Sequence, residues 1–296
     1  MNVLSLCDGM SGGQESLRQC GILVNKYYAS EIKQSAIKVT LDNFPETIQL
    51  GDINNWKEWD IDWRSIDLLL GGMPCQGFSI AGKKLNFEDP RSKLFFIGVE
   101  ILDHVKKYNP NVKFLFENVR MKDNISDELD RCVGIGHVYI NSGDYGAMIR
   151  KRYYWSNIQP EFSEKKDIRI NEIIDKSLPF NKNLDMLLSK TVYNPTTSSD
   201  GIITINPRNI NGKQTWQRGR VYDIKGKCTT IQESMHEINI TADHKTYRKL
   251  TVAEMEAMQG FKEGYTRSVT ENQAGGLLGD AWNIQTINMF LGQLKK

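Results

Sequence analysis

Short apolar runs alternate with helix-like segments over roughly the first half of the chain, and this alternation most constrains the fold. The run IDLLLGG at residues 66–72 is almost entirely apolar, as expected for a strand that is covered on both faces. Strand-like runs followed by helix-like segments are typical of a parallel sheet with helices on both sides. We therefore predict an α/β fold with a doubly wound, mostly parallel sheet.

The composition excludes several classes of protein. No apolar run is long enough to span a membrane, and the start of the sequence lacks the pattern of a secretory signal. We therefore expect a cytoplasmic protein with no membrane partner. The five cysteines are irregularly spaced, without a CxxC pair, and only four histidines accompany them, so we predict free thiols and no metal site. The net charge of +2 is too small to indicate a nucleic-acid partner by itself.

The predicted strand ends carry side chains that packing does not explain. In doubly wound sheets ligands bind beyond the carboxyl ends of the strands. The residues at those ends are polar, reactive or rich in glycine, and they lie at positions 8–13, 31, 52, 74–75 and 117–118. Glu31 is suited to accept hydrogen bonds from ribose hydroxyls, and the glycines of DGMSGG let the backbone approach a ligand.

The strand and helix pattern loosens in the second half of the chain. We predict a catalytic domain at 1–157, a smaller lobe at 158–247 and a C-terminal segment at 248–296 that returns to the catalytic domain. Segment 201–227 has six basic residues, one acidic residue and Trp216 among them. That mixture suits a phosphate backbone, although a solvated lobe surface is the alternative. LTVAEMEAMQGF predicts a helix capped at Thr251, with Glu254 completing a capping box.

A series of motifs adds a family resemblance to this pattern. LCDGMSGG, PCQGFS, ENV, RKRYYW and LLGDAWNIQ occur in this order, together with Glu31 and Asp52. In these motifs the chain resembles the C5-cytosine-specific DNA methyltransferases of bacteria and phages, with similarity to the catalytic domain of the animal de novo DNA methyltransferases. The resemblance implies a Rossmann-like methyltransferase fold that depends on S-adenosylmethionine, with a small target-recognition lobe. The implied activity is methyl transfer to carbon 5 of a flipped cytosine, with S-adenosylhomocysteine as the product.

The resemblance also implies a catalytic set. Cys75 would add to carbon 6 of cytosine as a thiolate, which makes carbon 5 able to take the methyl group. Taken alone, such a cysteine would more simply be a small buried apolar side chain. Glu117 would hydrogen-bond or protonate the ring at N3, and Asn118 would brace the loop around Cys75. Arg150 and Arg152 alternate along a predicted strand, so both would point into one cleft, Arg152 contacting the cytosine O2 and orienting Glu117.

The implied ligand contacts come from several motifs. Cys7 stands where the family often has phenylalanine, which makes the expected stacking face smaller. The cofactor-binding residues implied by the resemblance are Leu6, Cys7, Asp8, Gly9, Met10, Ser11, Gly12, Glu31, Ile32, Asp52, Ile53, Pro74, Asp280 and Trp282. Segment 76–93 is rich in glycine and charge, and we predict a mobile loop there that closes over the flipped cytosine. The candidate DNA contacts are Gln76, Ser79, Lys83, Lys84, Arg91, Arg208, Arg218 and Arg220.

Duplex DNA is the expected partner. The expected setting is a restriction-modification system, with a restriction endonuclease as functional partner, or the protection of phage DNA, and the expected assembly state is a monomer. Two alternatives stay open. A tRNA cytosine-5 methyltransferase would share the cysteine and the ENV motif, but the Cys-Phe-Thr tripeptide typical of that subfamily is absent. A catalytically silent DNA-binding homologue is disfavoured by the presence of Cys75, Glu117 and Arg152.

Overall fold

The computed structural model describes residues 1–74, 90–234 and 237–295, without the side chains of residues 90–92 and 218. Its helices are α1 (Gly12–Gln19), α2 (Gln34–Asn43), α3 (Pro90–Tyr108), α4 (Asp123–Val133), α5 (Asp185–Leu188), α6 (Val252–Gln259), α7 (Glu271–Asp280) and α8 (Ile284–Leu291). No helix within the described ranges has the length and apolar character needed to cross a membrane.

The strands fall into two groups that differ in length. Those of the first half and of the arginine motif are β1 (Asn2–Leu6), β2 (Lys26–Ser30), β3 (Ile48–Gln49), β4 (Ile66–Gly71), β5 (Lys113–Val119), β6 (Val138–Asn141) and β7 (Lys151–Ser156). The later and shorter ones are β8 (Lys182–Asn183), β9 (Thr191–Val192), β10 (Thr196–Thr197), β11 (Ile203–Thr204), β12 (Arg208–Asn209), β13 (Val221–Asp223), β14 (Asn239–Thr241) and β15 (Thr246–Lys249).

The described chain forms two compact units that interleave along the sequence. Unit 1 consists of Met1–Ile140, Lys151–Phe162 and Thr286–Lys296. Unit 2 consists of Asn141–Arg150 and Ser163–Gln285. This partition differs from the segments 1–157, 158–247 and 248–296 that the sequence suggests, chiefly because residues 248–285 belong to unit 2 and the return to unit 1 begins at Thr286.

Unit 1 is built on a sheet whose strand order is β3-β2-β1-β4-β5-β7-β6. The pairs β1–β2, β1–β4, β2–β3 and β4–β5 are parallel, and β7 is antiparallel to β5. The predicted doubly wound, mostly parallel sheet is therefore confirmed. The strand order reverses between β1 and β4, so the carboxyl ends of these two strands mark the place where such sheets bind ligands.

Apolar packing explains the central strands and the long helix. In β4 the side chains of Leu68, Leu69 and Leu70 are fully buried, as the apolar run predicts for a strand covered on both faces. Helix α3 contributes buried aliphatic and aromatic residues to the same core, among them Phe95 and Leu102. Burial of side chains of this size contributes about 1.5–3 kcal/mol each.

Met73 anchors the chain just after β4. Its side chain is buried, and a Cβ added at Gly71 would lie 2.6 Å from its sulfur, while one added at Gly98 would lie 2.7 Å from its methyl carbon. A side chain at either glycine would displace the methionine from this place. The methionine is therefore enclosed between the strand and α3, and it packs beside the end of β4.

Unit 2 contains the remaining strands. Its larger sheet has the order β10-β11-β13-β14-β15-β8, and β12 pairs with β9 in a two-stranded sheet. The capping box predicted for α6 is present: Thr251 accepts a hydrogen bond from Glu254 N, and Glu254 accepts one from Thr251 N. The strands of two to four residues were not predicted, because runs this short show no resolvable periodicity.

Hydrogen bonds explain why two segments belong to unit 2. Ile149 N donates to Cys228 O at 2.9 Å, and Cys228 N donates to Ala147 O at 2.7 Å, which ties segment 141–150 to this unit. In the helical part, Gln259 Nε2 donates to Leu278 O at 2.7 Å, joining α6 to α7. Both links connect residues far apart in sequence, which a reading of local patterns does not detect.

Candidate active site

The turn after β1 has an unusual backbone. Cys7, Gly9 and Ser11 have φ values of 51°, 59° and 58°, all in the left-handed region. Gly9 adopts this region without strain, whereas the other two are held there by the surrounding structure. A Cβ built on Gly9 would meet no atom within 4 Å, so space lies open beside this backbone. The turn therefore leaves room for a ligand at the carboxyl end of β1.

Glu31 holds this turn against the end of β2. Its Oε2 accepts a hydrogen bond from Gly9 N at 2.8 Å, and its Oε1 accepts from Ile32 N and Lys33 N, each at 2.8 Å. The Ile32 side chain beside it is exposed. The carboxylate and an apolar surface are therefore presented together, next to the open turn.

Asp8 is held by two side-chain hydroxyls. Tyr27 Oη donates to Asp8 Oδ1 at 2.8 Å, and Ser11 Oγ donates to the other carboxylate oxygen. Burial raises the pKa of Asp8 to about 6, and the charge of Glu31 adds to the rise, while hydrogen bonds from hydroxyl groups oppose it. The cluster therefore contains one carboxyl group that takes up a proton near neutral pH.

Three carboxylates converge on Cys7. Burial is the largest cause that raises the pKa of Cys7 to about 12, and the charges of Glu31, Asp52 and Asp8 raise it further. Asp52 caps the 3-10 helix that follows β3 by accepting from Asn54 N at 2.9 Å. The ends of β1, β2 and β3 thus meet, as the sequence predicts, and their combined negative charge suits a ligand with a positive group.

Several predicted cofactor residues are buried. Leu6 and Ile53 pack in the core of unit 1, and Met10, Ser11 and Gly12 are also buried. Their predicted cofactor contacts would therefore fall mainly on main-chain atoms. The exposed or partly exposed members of the predicted set in unit 1 are Cys7, Asp8, Gly9, Glu31, Ile32, Asp52 and Pro74.

Glu117 and Arg152 meet at the carboxyl end of β5. Gly71 of β4 is level with Phe116, so Glu117 lies one residue beyond the end of β4. Arg152 Nε is 2.7 Å from Glu117 Oε1, and both side chains are largely buried. The guanidinium therefore compensates the charge of a carboxylate that is largely removed from water.

Asn118 links this pair to the end of β4. Its Nδ2 donates to Met73 O at 3.4 Å, and its Oδ1 accepts from Val119 N at 2.8 Å. Met73 is two residues before Cys75 in the sequence. The contact supports the bracing role that the resemblance implies for this amide.

The structure separates the two arginines of the RKRYYW motif. Strand β7 begins at Lys151, so the strand alternation that we expected does not include Arg150. The buried Arg150 guanidinium donates to Gly279 O at 3.1 Å and to Asp280 O at 3.4 Å, within unit 2. The shared cleft predicted for both arginines is thus replaced by an internal contact for Arg150, at the end of α7.

Other predicted residues lie elsewhere or outside the described part. Asp280 ends α7 and Trp282 follows it, both in unit 2. Arg208 is exposed and its Nη1 donates to Gly212 O at 2.7 Å, while the half-buried Arg220 donates through Nε to Thr215 O at 2.7 Å. Outside the described residues are Cys75, Gln76, Ser79, Lys83, Lys84 and the side chains of Arg91 and Arg218, with most of loop 76–93.

A comparison of the sequence with models of protein families gives a match that includes this edge of the sheet. Residues 1–129 match the family model described as C-5 cytosine-specific DNA methylase. We call residues 1–129 the methylase domain, after the family model that they match. The matched segment of this methylase domain holds Cys75, Glu117 and the whole carboxylate cluster around Cys7.

Named relatives of the methylase domain include bacterial type II methyltransferases. The type II methyltransferase M.NlaIV of Neisseria lactamica is 38% identical over 120 residues, which are 39% of this chain. The chain spans only 27% of the length of that relative. The type II methyltransferase M1.ScrFI of Lactococcus lactis subsp. cremoris is 29% identical over 288 residues, covering 90% of this chain and 70% of that protein.

The fold extends beyond the methylase domain. The crystal structure of the S. pombe Dnmt2 methyltransferase matches with a TM-score of 0.68 and covers 99% of this chain and 98% of its own. The sequence identity is 19%, so this likeness concerns the fold alone. The likeness in fold extends over residues of both units.

Sequence reasoning missed three residues that organise the methylase site. Met73 fixes the end of β4, Tyr27 bonds to Asp8, and Ser30 Oγ donates to Gly51 O at 2.8 Å, which joins the ends of β2 and β3. The only local signal for Met73 was the pair of glycines, Gly71 and Gly72, that directly precedes it. The other two contacts join different strands, and no motif in the sequence marks them.

Proposed function

We propose that the chain is a DNA (cytosine-5)-methyltransferase that acts on a cytosine flipped out of duplex DNA. The observation that carries the proposal is the largely buried pair of Glu117 and Arg152 at the carboxyl end of β5, in which Arg152 Nε lies 2.7 Å from Glu117 Oε1. A carboxyl group held in this way is suited to a polar ring that enters the site from outside. The exocyclic amine of cytosine can donate to a carboxylate oxygen, and the ring N3 can accept a hydrogen bond from the protonated carboxyl group.

The carboxylate cluster around Cys7 supports S-adenosylmethionine as the methyl donor. The family requires a methyl donor in general, and this donor supplies an electrophilic methyl group on a sulfonium sulfur. Glu31 lies at the end of β2, where an acid suits ribose hydroxyls. Gly9 leaves open space, and the charges of Asp8, Glu31 and Asp52 favour a cation. The residues present therefore fit this group, with S-adenosylhomocysteine as its product.

The proposed chemistry begins at Cys75. Its thiolate forms a bond to carbon 6 of cytosine, and Glu117 stabilises the added electron pair by a hydrogen bond or a proton at N3. Carbon 5 then takes the methyl group. Loss of the carbon-5 proton to a base and cleavage of the bond between sulfur and carbon 6 release the product. Arg152 orients Glu117 and contacts the cytosine O2, and Asn118 braces the chain before the nucleophile.

The biological setting is also part of the proposal. The relatives named above are type II methyltransferases, which supports a role in restriction-modification with a partner restriction endonuclease. Protection of phage DNA would need the same activity. We propose a monomer that acts in the cytoplasm of a bacterium or of a phage-infected cell.

The test combines a map of methylation with a chemical trap. Purified full-length chain is incubated with S-adenosylmethionine and unmethylated plasmid DNA, which is then sequenced after bisulfite treatment. We expect 5-methylcytosine at one recurring sequence. A duplex that carries 5-fluorocytosine at that position should form a covalent adduct at Cys75, because fluorine at carbon 5 prevents the elimination step.

Matched variants and substrates complete this test. Cys75→Ser should lose turnover and trapping, whereas Cys132→Ser, which removes a partly exposed cysteine of α4, should keep both. Labelled tRNA tested in parallel measures the alternative substrate. Methylation of tRNA with none of DNA would contradict the proposal, and so would trapping that survives in Cys75→Ser.

A further inference from the structure

Trp216 in unit 2 extends its indole into solvent. It is 82% exposed, yet its neighbours Thr215 and Gln217 are 6% and 9% exposed. Gln217 Nε2 donates to Thr230 O at 3.0 Å, and Thr215 N donates to Pro207 O at 2.9 Å, so the backbone is anchored on both sides of the ring. A large aromatic ring held in water by fixed backbone forgoes the free energy of burial, which indicates a partner.

The ring belongs to a compact element that we call the projecting hairpin, residues 207–216. Asn209 N donates to Lys213 O at 2.8 Å, and Gly212 closes the turn with a φ of 74°. Asn209 Oδ1 accepts from Asn211 N and Lys213 N, so the turn is bonded internally. On its other side the hairpin pairs with β9 through Arg208 and Val192. A surface that is already ordered loses little conformational entropy on binding.

A second aromatic ring lies on the neighbouring strand. Tyr193 follows β9 and is half exposed, and its hydroxyl is 2.8 Å from His244 Nδ1. His244 Nε2 is in turn 2.7 Å from Oδ2 of the buried Asp223. These two contacts hold the tyrosine ring beside the projecting hairpin. Ile210 adds an exposed apolar side chain to the same element.

The charged side chains of the projecting hairpin itself are basic. Lys190, Arg208 and Lys213 are exposed, and residues 186–199 and 201–222 contain no aspartate or glutamate. Binding of a protein partner would not require this excess of positive charge. Binding of a polyanion with flat apolar faces would require it, together with the exposed aromatic rings. Duplex DNA has both features, since its phosphates attract cations and its base pairs offer surfaces for stacking or for an apolar wedge.

We propose that Trp216 contacts the base pairs of the DNA substrate, with Arg208 and Lys213 on the flanking phosphates. The proposal rests on the proposed function, because it assigns part of the surface that selects the DNA. It goes beyond the basic segment noticed in the sequence by assigning the contact with bases to an aromatic ring. Arg220, whose guanidinium is bonded to Thr215 O, has no part in this contact.

The first experiment measures how accessible the Trp216 indole is to a quencher in solution. Trp216 is the exposed tryptophan, since Trp56, Trp59 and Trp155 are buried and Trp63 and Trp282 are partly buried. Acrylamide quenching of the intrinsic fluorescence is measured with and without a short duplex that contains the methylated site. We expect the duplex to protect the most accessible fluorescence component. Trp216→Phe replaces the indole with a weakly fluorescent ring, so this variant should lack the most accessible fluorescence component.

The second experiment separates base contact from phosphate contact. Trp216→Ala should weaken duplex binding by about tenfold, since base–aromatic stacking is of that strength or greater, and leave the dependence on salt unchanged. Lys213→Ala should lower the salt slope by about one, because one phosphate contact is lost. Leu23→Ala, which removes an 86% exposed apolar side chain in unit 1, should leave both properties unchanged.

The outcomes of the two experiments distinguish the proposals. If wild-type chain methylates DNA, but Trp216→Ala binds the duplex as tightly as wild type and the duplex gives no protection from acrylamide, the inference is wrong and the proposed function stands. If the wild-type chain neither binds nor methylates duplex DNA, both are wrong. Thermal unfolding of each variant, with Trp216→Leu as an apolar replacement, identifies a loss of binding that comes from misfolding.

Discussion

At the scale of single residues, Glu117 and Glu31 have different surroundings at the carboxyl edge of the sheet. Glu117 Oε1 lies 2.7 Å from Arg152 Nε in a largely buried ion pair. By contrast, Glu31 accepts from three main-chain N–H groups. Glu31 at the end of β2 therefore shapes the turn after β1 through main-chain groups, whereas Glu117 in β5 is paired with a side-chain cation.

Glu117→Gln tests the proposed role of this acid. The amide has nearly the same shape but cannot deliver a proton, so kcat should fall by about 10²- to 10⁴-fold. Binding of S-adenosylmethionine and the melting temperature should stay close to wild type, as measured by calorimetry. Glu100→Gln, on the exposed face of α3, is the control and should keep full turnover. Turnover near wild type in Glu117→Gln would remove the acid from the mechanism.

A second prediction concerns Cys7. Burial and three nearby carboxylates raise its pKa to about 12, so at about pH 8 the reactive thiolate is on the order of one molecule in 10⁴. Folded protein treated with iodoacetamide should therefore leave Cys7 unlabelled, and labelling should increase as the pH approaches 12. Urea-unfolded protein is the control, in which mass spectrometry should find every cysteine labelled. Rapid labelling of Cys7 in the folded state would contradict the carboxylate cluster.

At the scale of elements, local patterns predicted what depends on neighbours in sequence. The long strands, helix α3 and the capping box of α6 follow from apolar runs, helical periodicity and the Thr251–Glu254 pair. Helix α7 was not predicted. Its glycines weaken any helical pattern, and the reason for one of them is tertiary.

Helix α7 provides a matched pair of substitutions. A Cβ on Gly279 would lie 2.4 Å from the main-chain atoms Gln232 C and Glu233 N, whereas one on Gly276 would lie 3.6 Å from its nearest neighbour. Gly279→Ala should therefore destabilise the protein by about 1–3 kcal/mol, because a main chain must move. Gly276→Ala should be neutral or stabilise it by up to about 1 kcal/mol through helix propensity. Urea unfolding of both variants checks this, and equal effects would contradict the close approach.

At the scale of the whole molecule, the chain leaves unit 1 twice and returns to it twice. The last return is α8, whose residues Ile287, Phe290 and Leu291 are fully buried in unit 1. The Phe290 ring lies 5.3 Å from that of Tyr154. Unit 1 is therefore closed by residues from both ends of the sequence that we describe.

Deletion of residues 286–296 tests this closure. Removing three buried apolar side chains costs roughly 5 kcal/mol or more, which is comparable with the whole stability of many domains. We expect loss of the cooperative thermal transition and of S-adenosylmethionine binding. Deletion of only the last two residues, which spares α8, should leave both unchanged. A cooperative transition at the wild-type temperature after the longer deletion would show that α8 is dispensable.

The sequence by itself determined the order of the elements and the chemistry available at the strand ends. Apolar runs and caps act over a few residues, so the parallel sheet and the acids beyond its strands could be predicted. The tertiary structure decided which of these groups meet. It paired Glu117 with Arg152, gave Arg150 an internal contact, brought three carboxylates around Cys7 and left Trp216 in solvent. These contacts join residues distant in sequence, and their geometry depends on packing that no local pattern records.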